Sequence, residues 1–158
     1  MSNIHIRWMI RVDLPAVLDI ENNSFENAWT EDEFISCLRK RNCIGMVAEK
    51  DDCVVGFMIY ELHKNSLALL NFAVDPTSRN CGVGSAMIER LASKLNPQRR
   101  TKVTTAISEK NLCGHLFFSR HGFVATKVAK DFFGFGDEDA YLFEYDLAAQ
   151  HAGAVLCG

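Results

Sequence analysis

The sequence predicts an α/β (α+β) domain, a mixed β-sheet with helices packed on its faces. Three observations predict it. Strand-like and helix-like stretches follow one another in the order β-α-α-β-β-β-α-β-α-β-β. The stretch "SLALLNFAVDP" (66–76) is apolar on nearly every residue and reads as a strand buried on both faces. Immediately after it, "RNCGVGSAMIERL" (79–91) changes to helical spacing and opens on a pair of glycines.

Taken in order, "IHIRWMI" (4–10) alternates as a strand. "DLPAVLDIENNSF" (13–25) begins with Asp13, an N-cap residue type, and a proline in the first turn. Its Leu14, Val17, Leu18, Glu21 and Phe25 follow helical spacing. "TEDEFISCLRKR" (30–41) is a second helix, with Thr30 and Glu33 spaced as a capping box. "CIGMVAEK" (43–50) and "CVVGFMIYEL" (53–62) flank Asp51-Asp52 and read as a hairpin. The helix over 82–96 carries a stripe of Val83, Met87, Leu91 and Leu95 and stops at Asn96-Pro97. "KVTTAIS" (102–108) is a strand, "NLCGHLFFSRHG" (111–122) a short helix closed by Gly122, and "FVATKVAK" (123–130) and "EDAYLFEYDL" (138–147) the last strands.

The 158 residues suit one domain with one core, and 48% of them are hydrophobic. A net charge of −3 argues against a nucleic-acid partner. The basic runs Arg39-Lys40-Arg41 and Arg99-Arg100-Thr101-Lys102 read as solvated helix ends. Six cysteines form no C-x-x-C pair, and no histidine completes a zinc set, so the expectation is reduced thiols, no metal and a cytoplasmic location. The N-terminus lacks the long apolar run of a signal peptide or membrane span. The domain is expected over 1–147, with 148–158 a loosely ordered tail.

Glycine weakens a helix, so Gly82 and Gly84 at a helix mouth need a reason. The first N–H groups of a helix have no partner within it, and the dipole makes that end partially positive. Removing two side chains there lets an anion reach the backbone, and Arg79 adds a positive charge nearby. Other phosphate motifs fit less well. A P-loop needs Gly-Lys-Ser/Thr, which is missing. A dinucleotide fingerprint needs a third glycine where Met87 stands. The alternative is a tight loop that merely uses glycine for positive φ.

The segment "LLNFAVDPTSRNCGVGSAMIERL" (69–91) resembles the signature of the GNAT acetyltransferases, Arg/Gln-x-x-Gly-x-Gly/Ala after a strand ending Ala-Val-x-Pro. Asn111 and "FFSRHGF" (117–123) also stand where that family has an asparagine and "LYxxxGF". The resemblance covers residues 4–147 and implies a mostly antiparallel seven-stranded sheet flanked by about four helices. It implies acetyl-CoA as cofactor. Its pyrophosphate would sit on Arg79, Asn80, Cys81, Gly82, Val83, Gly84 and Ser85, and its pantetheine along Phe72, Ala73 and Val74, with Asn111 and Phe118 nearby.

Within the family, "FENAWTEDEF" (25–34) and "DEDAYLF" (137–143) resemble the bacterial ribosomal-protein alanine N-acetyltransferases, although Asn27-Ala28-Trp29 lacks the subgroup's proline. This implies an amine acceptor, a protein N-terminus or a small-molecule amine, met by Trp29, Phe132, Phe133 and Tyr141. The subgroup's strand glutamate, the expected base, is replaced by Ala106, and its helix tyrosine, the expected acid, by Phe118. Phe132-Phe133 stands where the subgroup has paired tyrosines. Glu109 and Glu61, with His63, are the substitutes the sequence offers. Two function classes follow: an acetyl-CoA-dependent N-acetyltransferase, or a non-catalytic acyl-CoA-binding sensor or scaffold that lost its acid and base. Either fits a monomer or a homodimer acting away from membranes.

Overall fold

The computed structural model describes residues 3–134 and 138–150. Its elements follow the expected order: β1 (Ile4–Trp8), α1 (Leu14–Ser24), α2 (Glu31–Leu38), β2 (Cys43–Lys50), β3 (Cys53–Leu62), β4 (Ser66–Val74), α3 (Val83–Ala92), β5 (Lys102–Ser108), α4 (Leu112–Arg120), β6 (Val124–Ala129) and β7 (Ala140–Asp146). Short 3-10 turns at Arg11–Asp13 and Pro76–Ser78 precede α1 and α3. The strands form one seven-stranded sheet in the order β1-β2-β3-β4-β5-β7-β6. β4 and β5 run parallel, while β1–β2, β2–β3, β5–β7 and β6–β7 are antiparallel. No helix among the described residues is long and apolar enough to cross a membrane.

The chain divides into two compact units, residues 1–62 with 70–94, and residues 63–69 with 95–158. In the first unit, the β2–β3 hairpin turns on Asp51 (φ 54°) and Asp52 (φ 64°). Two left-handed central residues make the two-residue turn whose twist matches its strands. α1 and α2 bury Leu14, Val17, Ile20 and Phe34 with Val47, Phe57, Ile59 and Ala73 of the sheet. Trp29 packs on Phe34 with ring centroids 5.2 Å apart, and Phe34 meets Phe57 edge-on at 5.7 Å. Rings at those separations add to the burial of their area. In the second unit, β5 pairs with β7 along its whole length, from Lys102↔Asp146 to Ser108↔Ala140. Phe118 of α4, 6% exposed, packs edge-on against Phe123 at 5.1 Å.

Several expectations are corrected. β4 is buried on one face only: Leu67, Leu69, Asn71 and Ala73 are buried, whereas Leu70 is 39% exposed. Asp13 does not cap α1 with its side chain, because the preceding 3-10 turn holds it in helical conformation. Its carboxylate instead accepts two bonds from the Arg7 guanidinium and one from the Ile10 N–H, all at 2.8 Å. That guanidinium lowers the Asp13 pKa below the usual carboxylate value. Thr30 does cap α2, accepting from the Glu33 N–H at 3.2 Å. The return bond of the box is replaced by Thr30 Oγ1 donating to the Glu33 carboxylate at 3.3 Å. α3 ends at Ala92, where Ser93 Oγ donates back to the Arg90 carbonyl, so Leu95 lies beyond the helix. Arg99 and Arg100 lie in a loop rather than a helix end, and Arg100 Nε donates to the His63 carbonyl at 2.6 Å. Of the segment expected as a tail over 148–158, residues 148–150 continue a helical turn from Leu147, and Gln150 Nε2 donates to the Gly122 carbonyl at 3.0 Å. The rest of that segment, 151–158 with Cys157, lies outside the described residues.

Candidate active site

The mouth of α3 is built by the backbone. Asn80 (φ 64°) and Gly82 (φ 84°) both adopt the left-handed conformation, and Gly82 is the N-cap. The first intrahelical bond runs from the Ala86 N–H to the Gly82 carbonyl at 3.0 Å. The N–H groups before it therefore have no acceptor within the helix. A Cβ built on Gly82 would meet nothing within 4 Å, so the glycine serves φ and open access rather than close packing. Val83 is 1% exposed and turns its side chain into the core, which leaves its backbone toward the mouth. Left-handed residues in such a turn direct successive amides into a concavity suited to an anion.

Arg79 is exposed, yet it is tied within the first unit. Its Nε donates to the Val74 carbonyl at 3.2 Å and one terminal nitrogen to Ser24 Oγ at 3.3 Å. The arginine thus joins the end of β4, the end of α1 and the loop before α3. Cys81 is exposed, and its Sγ lies 3.6 Å from the Arg79 carbonyl. Along β4, Ala73 is buried in the core while Phe72 and Val74 are half-buried; the Phe72 N–H donates to Asn71 Oδ1 and the Val74 carbonyl accepts from Arg79. The parallel ladder with β5 covers Ser66–Leu69 against Lys102–Thr105 and then stops. Thr105 Oγ1 closes it by donating to the Leu69 carbonyl at 3.0 Å.

In the second unit, Ala106 and Ser108 share one face of β5, since side chains alternate along a strand. Ala106 brings no titratable group. Ser108 Oγ donates to the Glu138 carboxylate at 2.6 Å and accepts from the Lys110 N–H at 3.1 Å. Glu109, the expected substitute base, is exposed and clasps Asp139: its carboxylate accepts the Asp139 N–H at 3.1 Å, and its own N–H donates to the Asp139 carbonyl at 2.9 Å. Asn111 caps α4, its Oδ1 accepting from the Gly114 N–H at 2.9 Å. His115 Nε2 donates to the Ser108 carbonyl at 2.9 Å, and its ring packs on Tyr141 at 5.0 Å. Phe132 is 52% exposed and meets Phe133 edge-on. In the first unit, Glu61 lies at the end of β3, with Cys43 Sγ 3.9 Å from its carboxylate. Cys43 is itself 3.3 Å from Cys37, and burial pushes its thiol up to about 12. Among the described residues no cluster of His, Cys, Asp and Glu could hold a metal ion.

A family model described as "Acetyltransferase (GNAT) domain" matches residues 41–125, more than half of the chain and the whole of the α3 mouth. The chain belongs to the GNAT acetyltransferase family. Acetyl transfer is its chemistry. It is 24% identical over 138 residues to the [Ribosomal protein bS18]-alanine N-acetyltransferase of Salmonella typhimurium, covering 86% of this chain and 93% of that one. The crystal structure of the Escherichia coli ribosomal-protein-S18-alanine N-acetyltransferase superposes with a TM-score of 0.80 at 22% identity, over 92% of this chain and 94% of that one. Arabidopsis thaliana Naa50, solved with the bisubstrate analogue CoA-Ac-MVNAL, has a TM-score of 0.76 at 14% identity, over 90% and 98% of the two chains.

Sequence reasoning missed one group in this GNAT chain. Glu21 of α1 is 2% exposed. Its Oε2 accepts the Trp29 N–H and its Oε1 accepts the Asn71 side-chain amide, both at 2.8 Å. Burial pushes its pKa up, against the pull of those two donors. The available signal was a carboxylate standing on an otherwise apolar helical stripe. Trp29, held this way, lines a cleft of about 480 Å³ with Asp32, Glu33, Ser36, Lys40 and Leu70.

Proposed function

We propose that this protein is an acetyl-CoA-dependent N-acetyltransferase whose acceptor is a protein N-terminal α-amine. The observation that carries the cofactor assignment is the open mouth of α3, with left-handed Asn80 and Gly82 and no side chain over Gly82. Backbone amides of residues 79–85 fit a pyrophosphate, and the Phe72–Val74 backbone of β4, beyond the parallel ladder, fits an amide-bearing arm. When bound, acetyl-CoA supplies the activated acetyl group as a thioester. The relative in Salmonella typhimurium, whose name gives an alanine of a ribosomal protein as acceptor, supports the α-amine.

The residues of the chain then act by binding and orientation. Ala106 and the buried ring of Phe118 bring neither a base nor an acid. One such group contributes typically ~10²–10⁴ in rate, whereas holding reactants in attack geometry contributes effective molarities of roughly 10⁵ M and above. An α-amine, with pKa near 7.7–8.0, is about a tenth neutral at pH 7 and supplies its own nucleophile. A thiolate leaving group with pKa near 8.5 departs without obligatory protonation.

Free-thiol release from acetyl-CoA, followed with a panel of amines, tests the assignment. Turnover is expected with an Ala-initiated peptide. Binding of acetyl-CoA with no acceptor-dependent thiol release from any amine would instead support the non-catalytic sensor or scaffold.

A further inference from the structure

We propose that Glu21 is a positioning residue for the acceptor: its buried carboxylate pins the segment after α1 so that Trp29 is presented to the amine-bearing chain. The inference rests on the reading that the Trp29 cleft meets the acceptor. It adds the group that sets the geometry of that cleft.

The network demands an acceptor on both sides. Trp29 N–H and Asn71 Nδ2–H are both donors, each 2.8 Å from a different Glu21 oxygen. Asn71, 9% exposed, is itself oriented, because its Oδ1 accepts the Phe72 N–H at 2.9 Å. An ionised carboxylate accepts at both oxygens, whereas a primary amide accepts at one and donates at the other. Glutamine at 21 therefore sets an N–H against an N–H, either at Trp29 or at Asn71. Turning the Asn71 amide over would relieve the second clash only by leaving Phe72 N–H without its acceptor. A carboxylate at a buried helix position is costly, and only paired donors keep it there.

What the clamp fixes is the short connection between the two helices. Between Ser24, the last residue of α1, and Thr30, the cap of α2, the Trp29 N–H is anchored to Glu21. Trp29 reaches from this anchor to the ring of Phe34 and forms one wall of the cleft with Leu70. Asn71 follows Leu70 on β4, so the same carboxylate ties both of those cleft walls together. Loss of the clamp moves the acceptor wall and leaves the α3 mouth, which Glu21 does not touch, as it was.

The test is steady-state kinetics of the full chain with an Ala-initiated peptide, alongside calorimetry with CoA. Glu21→Gln is expected to raise KM for the peptide about tenfold, the scale of one buried donor left unpaired, with kcat and the Kd for CoA little changed. The double variant Glu21→Gln/Asn71→Asp restores two donor–acceptor pairs and keeps an acceptor for Phe72 N–H, so it should return KM most of the way. If Glu21→Gln does not fold, Asn71→Ser, whose shorter side chain withdraws the amide from Glu21 and keeps the carboxylate, should still raise the peptide KM. A folded Glu21→Gln, or that Asn71→Ser, with wild-type KM overturns the proposal if Trp29→Ala raises KM. If Trp29→Ala also leaves KM unchanged, the acceptor reading of the cleft fails and takes the proposal with it.

Discussion

The Glu21 carboxylate accepts the Asn71 side-chain amide at 2.8 Å, joining α1 to β4 across 50 positions of sequence. Its energetics are the reverse of an ordinary surface carboxylate. Burial raises its pKa in the folded protein, so between the unfolded value near 4.3 and that raised value the folded state binds more protons. Stability from this group is then fullest below the unfolded pKa and falls as pH rises through the folded one. Urea unfolding from pH 4 to 8 should show a wild-type decline with rising pH that Glu21→Gln, which has nothing to titrate at that position, does not share. Wild-type stability that instead rises with pH relative to the variant would mean the two donors outweigh burial.

Asp13 should behave oppositely. The Arg7 guanidinium, which also reaches Glu49, lowers its pKa. Its contribution is present above the unfolded value near 3.9 and is lost as pH falls through the lowered folded value. Asp13→Asn should destabilise the protein at pH 7 by about 1–3 kcal/mol, since it leaves a part-buried guanidinium short of its partner. The variant should also lose part of the wild-type decline in acid. Parallel wild-type and variant stability curves below pH 4 would rule this out.

Where sequence signals are local, the fold was legible. The Asp51-Asp52 turn bounds β2 and β3 at the residues expected, and Thr30 marks a helix start by its side-chain oxygen and Gly122 a helix end by its positive φ. Contacts set by how elements pack on one another were not legible. Asp13 looked like a helix cap because its competing partner, Arg7, becomes visible only when β1 is placed beside it. β4 looked buried on both faces because composition does not say which face a protein leaves open, and Leu70 is on the open one. The α3 mouth was readable because one loop supplies all of it. The Glu21 clamp was not, because its donors come from a loop and from a strand 50 positions away.

Gly84 tests the mouth by setting two effects against each other. In the first turn of α3, glycine to leucine improves helix propensity by up to ~1 kcal/mol. Gly84→Leu should therefore fold at least as well as wild type. Its side chain would stand among the amides offered to the pyrophosphate, and the Kd for CoA should rise at least a hundredfold, about 2.7 kcal/mol. Unchanged CoA affinity by calorimetry in a folded variant would remove the basis for the anion cradle.

The acceptor can be tested by proton availability. With alanine at 106 and a buried phenylalanine at 118, the neutral fraction of the substrate sets the supply of nucleophile. That fraction is about a tenth for an α-amine at pH 7 but roughly 10⁻³ or less for a lysine side chain with pKa near 10.4. Acetylation of an Ala-initiated peptide should therefore outpace an N-terminally blocked lysine peptide by about a hundredfold or more at pH 7. The rate with the alanine peptide should climb through pH ~8 and level off above the α-amine pKa. A plateau already reached near pH 6 would reveal an internal base. Ser108 with its partner Glu138, Glu109 and Glu61 would then be the groups to replace one at a time, because Ser108 and Glu109 lie at the end of β5, Glu61 near the end of β3, and Glu138 accepts from Ser108. Equal turnover of the two peptides at pH 7 would end the α-amine assignment, since no difference in neutral amine would then be limiting.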